Sequence, residues 1–319
     1  MSLEQAAQWI REKDDFLLIT HVNPDGDGLG SQSALYLALK HLGKRVRVVN
    51  HDPLPRCYQW LPFHDVVEVS DVLPPHQVCI VLDVGEISRI RDGAQQGDFG
   101  PILNIDHHRS GSGYGALNWV DPEAAATGEM VYRLIQYLGV PVDKDIAESI
   151  YTAIITDTGG FRYANTTPQV LRMAAELMDC GADARKVCDR IFARVSHEAM
   201  ELVRLSLSHI QTFQDGRIGV MTLTQKDFLS SGAMEEDTDG LVNHVRKLDS
   251  VEVAVFLKER PDGRVRLSMR SRNGLDVAVV ALKFGGGGHR FSAGAILDGP
   301  LEEAVGRVVA DISAALQKK

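Results

Sequence analysis

The sequence predicts a two-domain α/β protein, and three observations carry that reading. At 319 residues the chain is long enough for two hydrophobic cores. Its first 110 residues alternate short β-rich runs with apolar residues at helical spacing, the rhythm of a mostly parallel sheet with helices on both faces. After a helix-dominated stretch, strands return beyond residue 212 together with further helices, which predicts a second, smaller α/β domain. The expected organisation is a first domain over 1–182, a helical connector over 183–211 and a second domain over 212–319.

The elements follow in chain order. FLLITH (16–21) reads as a strand, and GLGSQSALYLALKHL (28–42) carries the apolar spacing of a helix. RVRVVN (45–50), VCIVLDV (78–84) and PILNID (101–106) are further strands. Helices dominate from about 123 to 211, with EMVYRLIQYLG and DIAESIYTAIITDTG the clearest. In the second domain RIGVMTLT, VEVAVFLKE and RVRLSMRS are strands, and LVNHVRKL and LEEAVGRVVADISAALQKK are helices.

Composition narrows the function. Apolar residues make up 44% and charged residues 24%, an ordinary globular mixture. The net charge of −9 argues against a general duplex-DNA binder, which needs a broad basic face. Residues 1–199 hold 18 basic and 27 acidic side chains, whereas 200–319 are balanced at 16 and 16. No apolar run approaches the roughly 18 residues of a membrane span, and MSLEQAAQWIREKDDF lacks a signal-peptide apolar region. Cys57, Cys79, Cys180 and Cys188 form no CxxC pair, so they read as reduced thiols of a cytoplasmic protein.

Four segments place Asp or His just after an apolar run. They are HVNPDGDGLGS with His21, Asp25 and Asp27; IVLDVG with Asp83; NIDHHRS with Asp106, His107 and His108; and AIITDTGG with Asp157, where the run before the acid also suits a helix. Taken singly each has an ordinary reading. An Asp after a strand is usually a helix N-cap, PDGDG makes a turn, and adjacent histidines arise by accident. Together they point elsewhere, because ligands of an open parallel sheet bind outside the carboxyl ends of its strands. Carboxylates gathered in one crevice repel each other unless cations neutralise them. Two divalent metals do so, one carboxylate can bridge them, and the mixed oxygen and imidazole set suits Mn²⁺, with Mg²⁺, Zn²⁺ and Fe²⁺ as alternatives. Such a pair, about 3.5–4 Å apart, clamps a phosphoryl group for hydrolysis.

A second signal lies near the C-terminus. FGGGGHRFSAGA (284–295) holds four consecutive glycines that let backbone N–H groups approach a phosphate closely. Residues 264–290 carry Arg264, Arg266, Arg270, Arg272, Lys283 and Arg290 against Asp276 alone, a local charge of +5. A flexible hinge beside a solvated strand is the plain alternative. Trp60, Trp119, Phe161 and Tyr163 read as core or rim rather than as base-stacking platforms, and EEDTDG (235–240) as a solvated loop.

The four acidic segments resemble, in order, the motifs of the Asp-His-His (DHH) phosphoesterase family, and 284–295 with SMRS resembles the substrate motif of the DHH-associated C-terminal domain. The compact two-domain form looks like the stand-alone oligoribonucleases (nanoRNases), which also dephosphorylate 3′-phosphoadenosine 5′-phosphate (pAp). The resemblance implies two Mn²⁺ ions, one on His21, Asp25 and Asp83, the other on Asp27, Asp83, His107 and Asp157. It implies that Asp106 orients His107 and that His108 protonates the leaving oxygen. Substrate contacts are expected from Arg109, Ser268, Arg270, Gly286, Gly287, Gly288 and His289, in a cleft between the domains. The implied substrate is short single-stranded RNA, roughly two to five nucleotides, or pAp. No membrane and no obligatory protein partner is expected, and the resemblance alone implies a homodimer. Hydrolysis of linear or cyclic dinucleotides is the nearest alternative, and a nucleotide-sensing module without turnover is the alternative from another class.

Overall fold

The predicted apolar runs become the middle of a six-stranded sheet. The computed structural model describes residues 2–317 apart from Asp92, 109–112 and Asn273. It divides into two compact units, Met1–Arg194 and Val195–Lys319. Unit 1 runs α1 (Leu3–Glu12), β1 (Asp15–Ile19), α2 (Gly26–His41), β2 (Arg45–Asn50), β3 (Val67–Val69), β4 (Val78–Leu82), β5 (Ile102–Asp106), β6 (Leu117–Val120), α3 (Thr127–Leu138), α4 (Lys144–Asp157), α5 (Pro168–Asp179) and α6 (Ala184–Phe192). Unit 2 runs α7 (His197–Ser208), β7 (Gln211–Phe213), β8 (Ile218–Leu223), α8 (Gln225–Ser231), α9 (Val242–Arg246), β9 (Val253–Glu259), β10 (Val265–Ser271), α10 (Val277–Lys283), β11 (Gly287–His289), β12 (Ser292–Leu297) and α11 (Leu301–Gln317).

In unit 1 the strand order is β3-β2-β1-β4-β5-β6, and every described pairing is parallel. β4 is buried along its whole length, as a central parallel strand must be. Phe16, Leu18, Ile80, Leu82 and Ile105 pack into the core formed with the α-helices. The alternating residues Leu17, Ile19, Cys79 and Val81 point to the other face, onto Ile90, Ala94 and Phe99. That face is covered by loop and by single 3-10 turns at Ile87–Arg89 and Gln96–Phe99, so its cover is thinner than the helices expected there.

The order reverses between β1 and β4, which places the crevice outside their carboxyl ends. α2 is buried nearly all round because the sheet lies on one side and α4 on the other. Close helix contact requires glycine at two positions. A Cβ on Gly30 would stand 2.5 Å from the Ser149 carbonyl oxygen, and one on Gly26 would stand 2.4 Å from the Thr156 methyl. This contact brings the start of α2, with Asp25 and Asp27, beside the end of α4, with Asp157.

Unit 2 holds a mixed sheet of order β11-β12-β10-β9-β8-β7, in which β8 and β9 are parallel and the other described pairs antiparallel. One face packs on α10 and α11 through Val280, Val308 and Ile312. Met221, Leu223 and Phe256 on the other face meet Leu202 of α7 and Val242 and Val245 of α9. The connector expected over 183–211 is divided between the units. Val187 of α6 enters the core of unit 1, whereas Leu202 of α7 enters that of unit 2.

Candidate metal centre

The side chains of the centre stand where strands and helices end. After β1, the Thr20 hydroxyl donates to the Leu82 carbonyl at 2.9 Å and ties that strand end to β4. His21 follows. Asp25 is the N-cap of α2, its Oδ1 accepting from the N–H groups of Asp27 (3.0 Å) and Gly28 (3.1 Å), so the ordinary capping role is real. The same oxygen lies 3.7 Å from His21 Nε2. Asp83 follows β4 with φ +62°, a left-handed backbone that Asp tolerates better than most residues. Its two oxygens diverge: Oδ2 is 3.5 Å from His21 Nε2, and Oδ1 is 3.6 Å from His107 Nε2.

His107 Nε2 also lies 3.6 Å from Asp27 Oδ2 and 3.7 Å from Asp157 Oδ2. Asp157 is the last residue of α4, so this acid ends a helix, not a strand. Three sets of side chains thereby have ligand atoms within 4.8 Å of one another and can hold a metal ion: His21, Asp25 and Asp83; Asp27, His107 and Asp157; and Asp83, His107 and His108. The donor chemistry fits a divalent cation. His21 Nδ1 lies 2.9 Å from the Val22 carbonyl and His107 Nδ1 3.2 Å from the Ala124 carbonyl. Carbonyl oxygens only accept, so each Nδ1 carries a proton and each Nε2 faces the carboxylates as a ligand nitrogen should.

One expected pairing is corrected. Asp106 does not orient His107; its Oδ1 accepts from His108 Nδ1 at 2.7 Å. The reason lies in the partners each ring meets beyond the end of β5 at Asp106: His107 Nδ1 is taken by the Ala124 carbonyl, while His108 turns its Nδ1 back onto the Asp106 carboxylate. Gly85 makes room for the pair, since a Cβ there would stand 3.2 Å from that of His108. Arg109 lies outside the described residues.

Electrostatics mark the cluster as one that lacks positive charge. Burial raises Asp27 well above the usual carboxylate range, and Asp83 adds to it. Burial, with Asp83 and Asp25 nearby, pushes Asp157 up to about 7. Burial alone would depress His21, but the carboxylates of Asp25 and Asp83 lift it to about 10. Burial likewise opposes the charged form of His107, and Asp27, Asp83 and Asp157 together raise it to about 9. Asp83 stays below the ordinary range despite its burial, held there by His21, His108 and His107. The protons retained here occupy the place that a cation would take.

In unit 2 the register gathers the predicted substrate residues. Along β10, Val265, Leu267, Met269 and Ser271 are buried, and Arg266, Ser268 and Arg270 are half-buried on the opposite face. Ser268 pairs with Gly294 of β12, which pairs with Gly287 of β11; Arg270 pairs with Ser292, which pairs with His289. The side chain of His289 lies outside what is described. Gly287 and Gly288 thus belong to the edge strand β11, Gly285 and Gly286 lie just before it, and the four differ. A Cβ on Gly286 would stand 2.1 Å from the Gly294 carbonyl oxygen, and one on Gly288, at φ +137°, 2.5 Å from that of Ser292. At Gly287 a Cβ would meet nothing within 4 Å, so that position is open to a ligand. The EEDTDG segment is not simply solvated, because Glu235 lies 2.6 Å from the Nζ of buried Lys258.

Sequence reasoning passed over Ala124, Thr127, Gly128 and Asn165. Thr127 and Gly128 donate their N–H groups to Asp27 at 2.7 and 2.9 Å. A signal was present: α3 begins after Ala126, which has no side chain to cap it, so its orphan N–H groups need a distant acceptor.

The family described as "DHH family, N-terminal domain" matches residues 15–154, and "DHHA1 domain" matches 218–318. A Thermus thermophilus protein named bifunctional oligoribonuclease and PAP phosphatase NrnA is 43% identical over 92% of this chain and 87% of its own. A Bacillus subtilis protein of the same name is 28% identical, over 88% of this chain and 89% of its own. Among solved structures, an exopolyphosphatase-related protein from Bacteroides fragilis superposes with a TM-score of 0.89 at 27% identity, covering 99% of this chain and 95% of that one.

Proposed function

The chain belongs to the DHH family and carries a DHHA1 domain, and from that premise we propose that it is a cytoplasmic, metal-dependent phosphoesterase that degrades short oligoribonucleotides to nucleoside 5′-monophosphates and converts pAp to AMP. The observation that carries this reading is the divergence of the two Asp83 oxygens, one toward His21 and the other toward His107. It supports two cations, of which Mn²⁺ suits the donors best, with Asp83 between them. Bound there, divalent cations supply Lewis acidity toward the scissile phosphate and make water nucleophilic near neutral pH.

The chain's own residues do the rest. The Asp106–His108 hydrogen bond fixes the ring and favours its charged form, so the proton for the leaving 3′ oxygen comes from Nε2. Water supplies the new P–O bond, the bond to the 3′ oxygen breaks, and AMP and phosphate leave. Ser268, Arg270 and Gly287 suit a phosphate or sugar edge of the nucleotide, since a guanidinium fork matches phosphate oxygens and the free space at Gly287 admits a close approach. Phosphate release from pAp by chelator-stripped protein, with and without added Mn²⁺, tests the reading. Release only with the metal supports it, and a stripped protein as active as the reloaded one overturns it.

A further inference from the structure

The turn over residues 124–128 belongs to none of the four acidic motifs, yet it bonds to Asp27, Asp83 and His107 and reaches Asp157 through Asn165. The Ala124 carbonyl accepts from His107 Nδ1 at 3.2 Å. The N–H groups of Thr127 and Gly128 donate to Asp27 at 2.7 and 2.9 Å. The Thr127 hydroxyl donates to Asp83 Oδ1 at 3.1 Å. The Ala125 carbonyl accepts at 2.9 Å from Asn165 Nδ2, and the same nitrogen lies 3.2 Å from Asp157 Oδ2. Among the described residues no hydrogen bond joins this turn to His21 or Asp25.

The turn is also stiff. Ala124 to Gly128 are all buried. Glu129 closes it by accepting from the Ala125 N–H at 2.9 Å. A Cβ on Gly128 would stand 2.4 Å from that of Ala153, so α3 rests directly on α4. A rigid element with bonds to Asp27, Asp83, His107 and, through Asn165, Asp157 can hold those four groups in one arrangement. The contact to Asp83 is made on the oxygen that faces His107, while the other oxygen faces His21.

We infer that residues 124–128, with Asn165, are the positioning element for one cation only, the one on Asp27, Asp83, His107 and Asp157, and that the Thr127 hydroxyl sets the Asp83 arm of that site. The inference rests on the two-cation reading above. Removing such an outer hydrogen bond typically weakens metal affinity about 10- to 100-fold. Here the loss falls on one equivalent, because the His21 side keeps its own contacts.

The test is a Mn²⁺ titration of chelator-stripped wild type, Thr127→Val, Thr127→Ser and Asn165→Ala, read by calorimetry and by counting free Mn²⁺, with thermal melts alongside. Wild type is expected to take up two equivalents. Thr127→Val should keep one at near-native affinity and lose about 10- to 100-fold on the other. Thr127→Ser should restore it, and Asn165→Ala should weaken the same equivalent. Two native affinities in Thr127→Val overturn the inference, as does equal weakening of both equivalents, which marks general loosening, or a serine that fails to restore. If Thr127→Val does not fold, Asn165→Ala decides by the same criterion. Wild type that takes up fewer than two equivalents overturns the two-cation reading itself, a failure visible before any substitution.

Discussion

At Asp83 a left-handed backbone, φ +62°, is held although such conformations destabilise a non-glycine residue by on the order of 1–3 kcal/mol. The gain is direction, since this backbone sets one carboxylate between His21 and His107. Asp83→Ala should therefore lose both Mn²⁺ equivalents together and all detectable hydrolysis. Metal analysis after gel filtration checks it, and one retained equivalent contradicts the shared role. The residues at the end of β5 teach a different lesson. Read as letters, Asp106, His107 and His108 form one group, but His107 Nδ1 meets the Ala124 carbonyl and His108 Nδ1 the Asp106 carboxylate. The resemblance singled out these residues, while their hydrogen-bond pairing needed the structure. Asp106→Asn and His108→Ala should each lower turnover about 10²- to 10⁴-fold with metal content intact, and His107→Ala should lose metal. Equal metal loss in all three would remove the division of labour.

At the scale of the element, β1 and β4 were legible because parallel strands buried on both faces are near-continuous apolar runs, β5 because its apolar residues flank Asn104, and β2 by its three valines. β12 was not, since SAGAIL is built of small residues with weak strand preference. β3 and β6 are short strands at the edges of their sheet. The glycine run illustrates how a single pattern hides two roles. Gly288→Ala should lower the melting temperature of unit 2, because it meets a carbonyl oxygen at 2.5 Å in a conformation reserved for glycine. Gly287→Ala should fold normally, and any effect should fall on nucleotide binding. Arg270→Ala should raise KM for pAp about ten- to a hundredfold, from the roughly 1.5–3 kcal/mol of a charge-assisted contact. Its hydrolysis of bis-p-nitrophenyl phosphate should change far less. Parallel losses on both substrates would return β10 to a structural role.

Across the whole molecule the charge is partitioned, with the acid excess in residues 1–199 and balance in 200–319. The structure gives each unit its own core, and among the described residues the groups that can hold cations lie in unit 1. Mn²⁺ at about a hundred times its dissociation constant should therefore stabilise the folded protein by about 2.7 kcal/mol per site. In calorimetry the shift should appear in the transition of unit 1, and a shift confined to unit 2 would place the cations elsewhere. Activity as a function of RNA length is the most direct test of the proposed function. Stripped protein reloaded with Mn²⁺ is given 5′-labelled RNA of two to twenty-four nucleotides, pAp and cyclic dinucleotides, and products are separated by size. The account predicts metal-dependent conversion of pAp and of the shortest RNAs to nucleoside 5′-monophosphates, with rates falling steeply as the chain lengthens. Equal cleavage of the longest and shortest RNAs, or turnover of the cyclic dinucleotides alone, would contradict it.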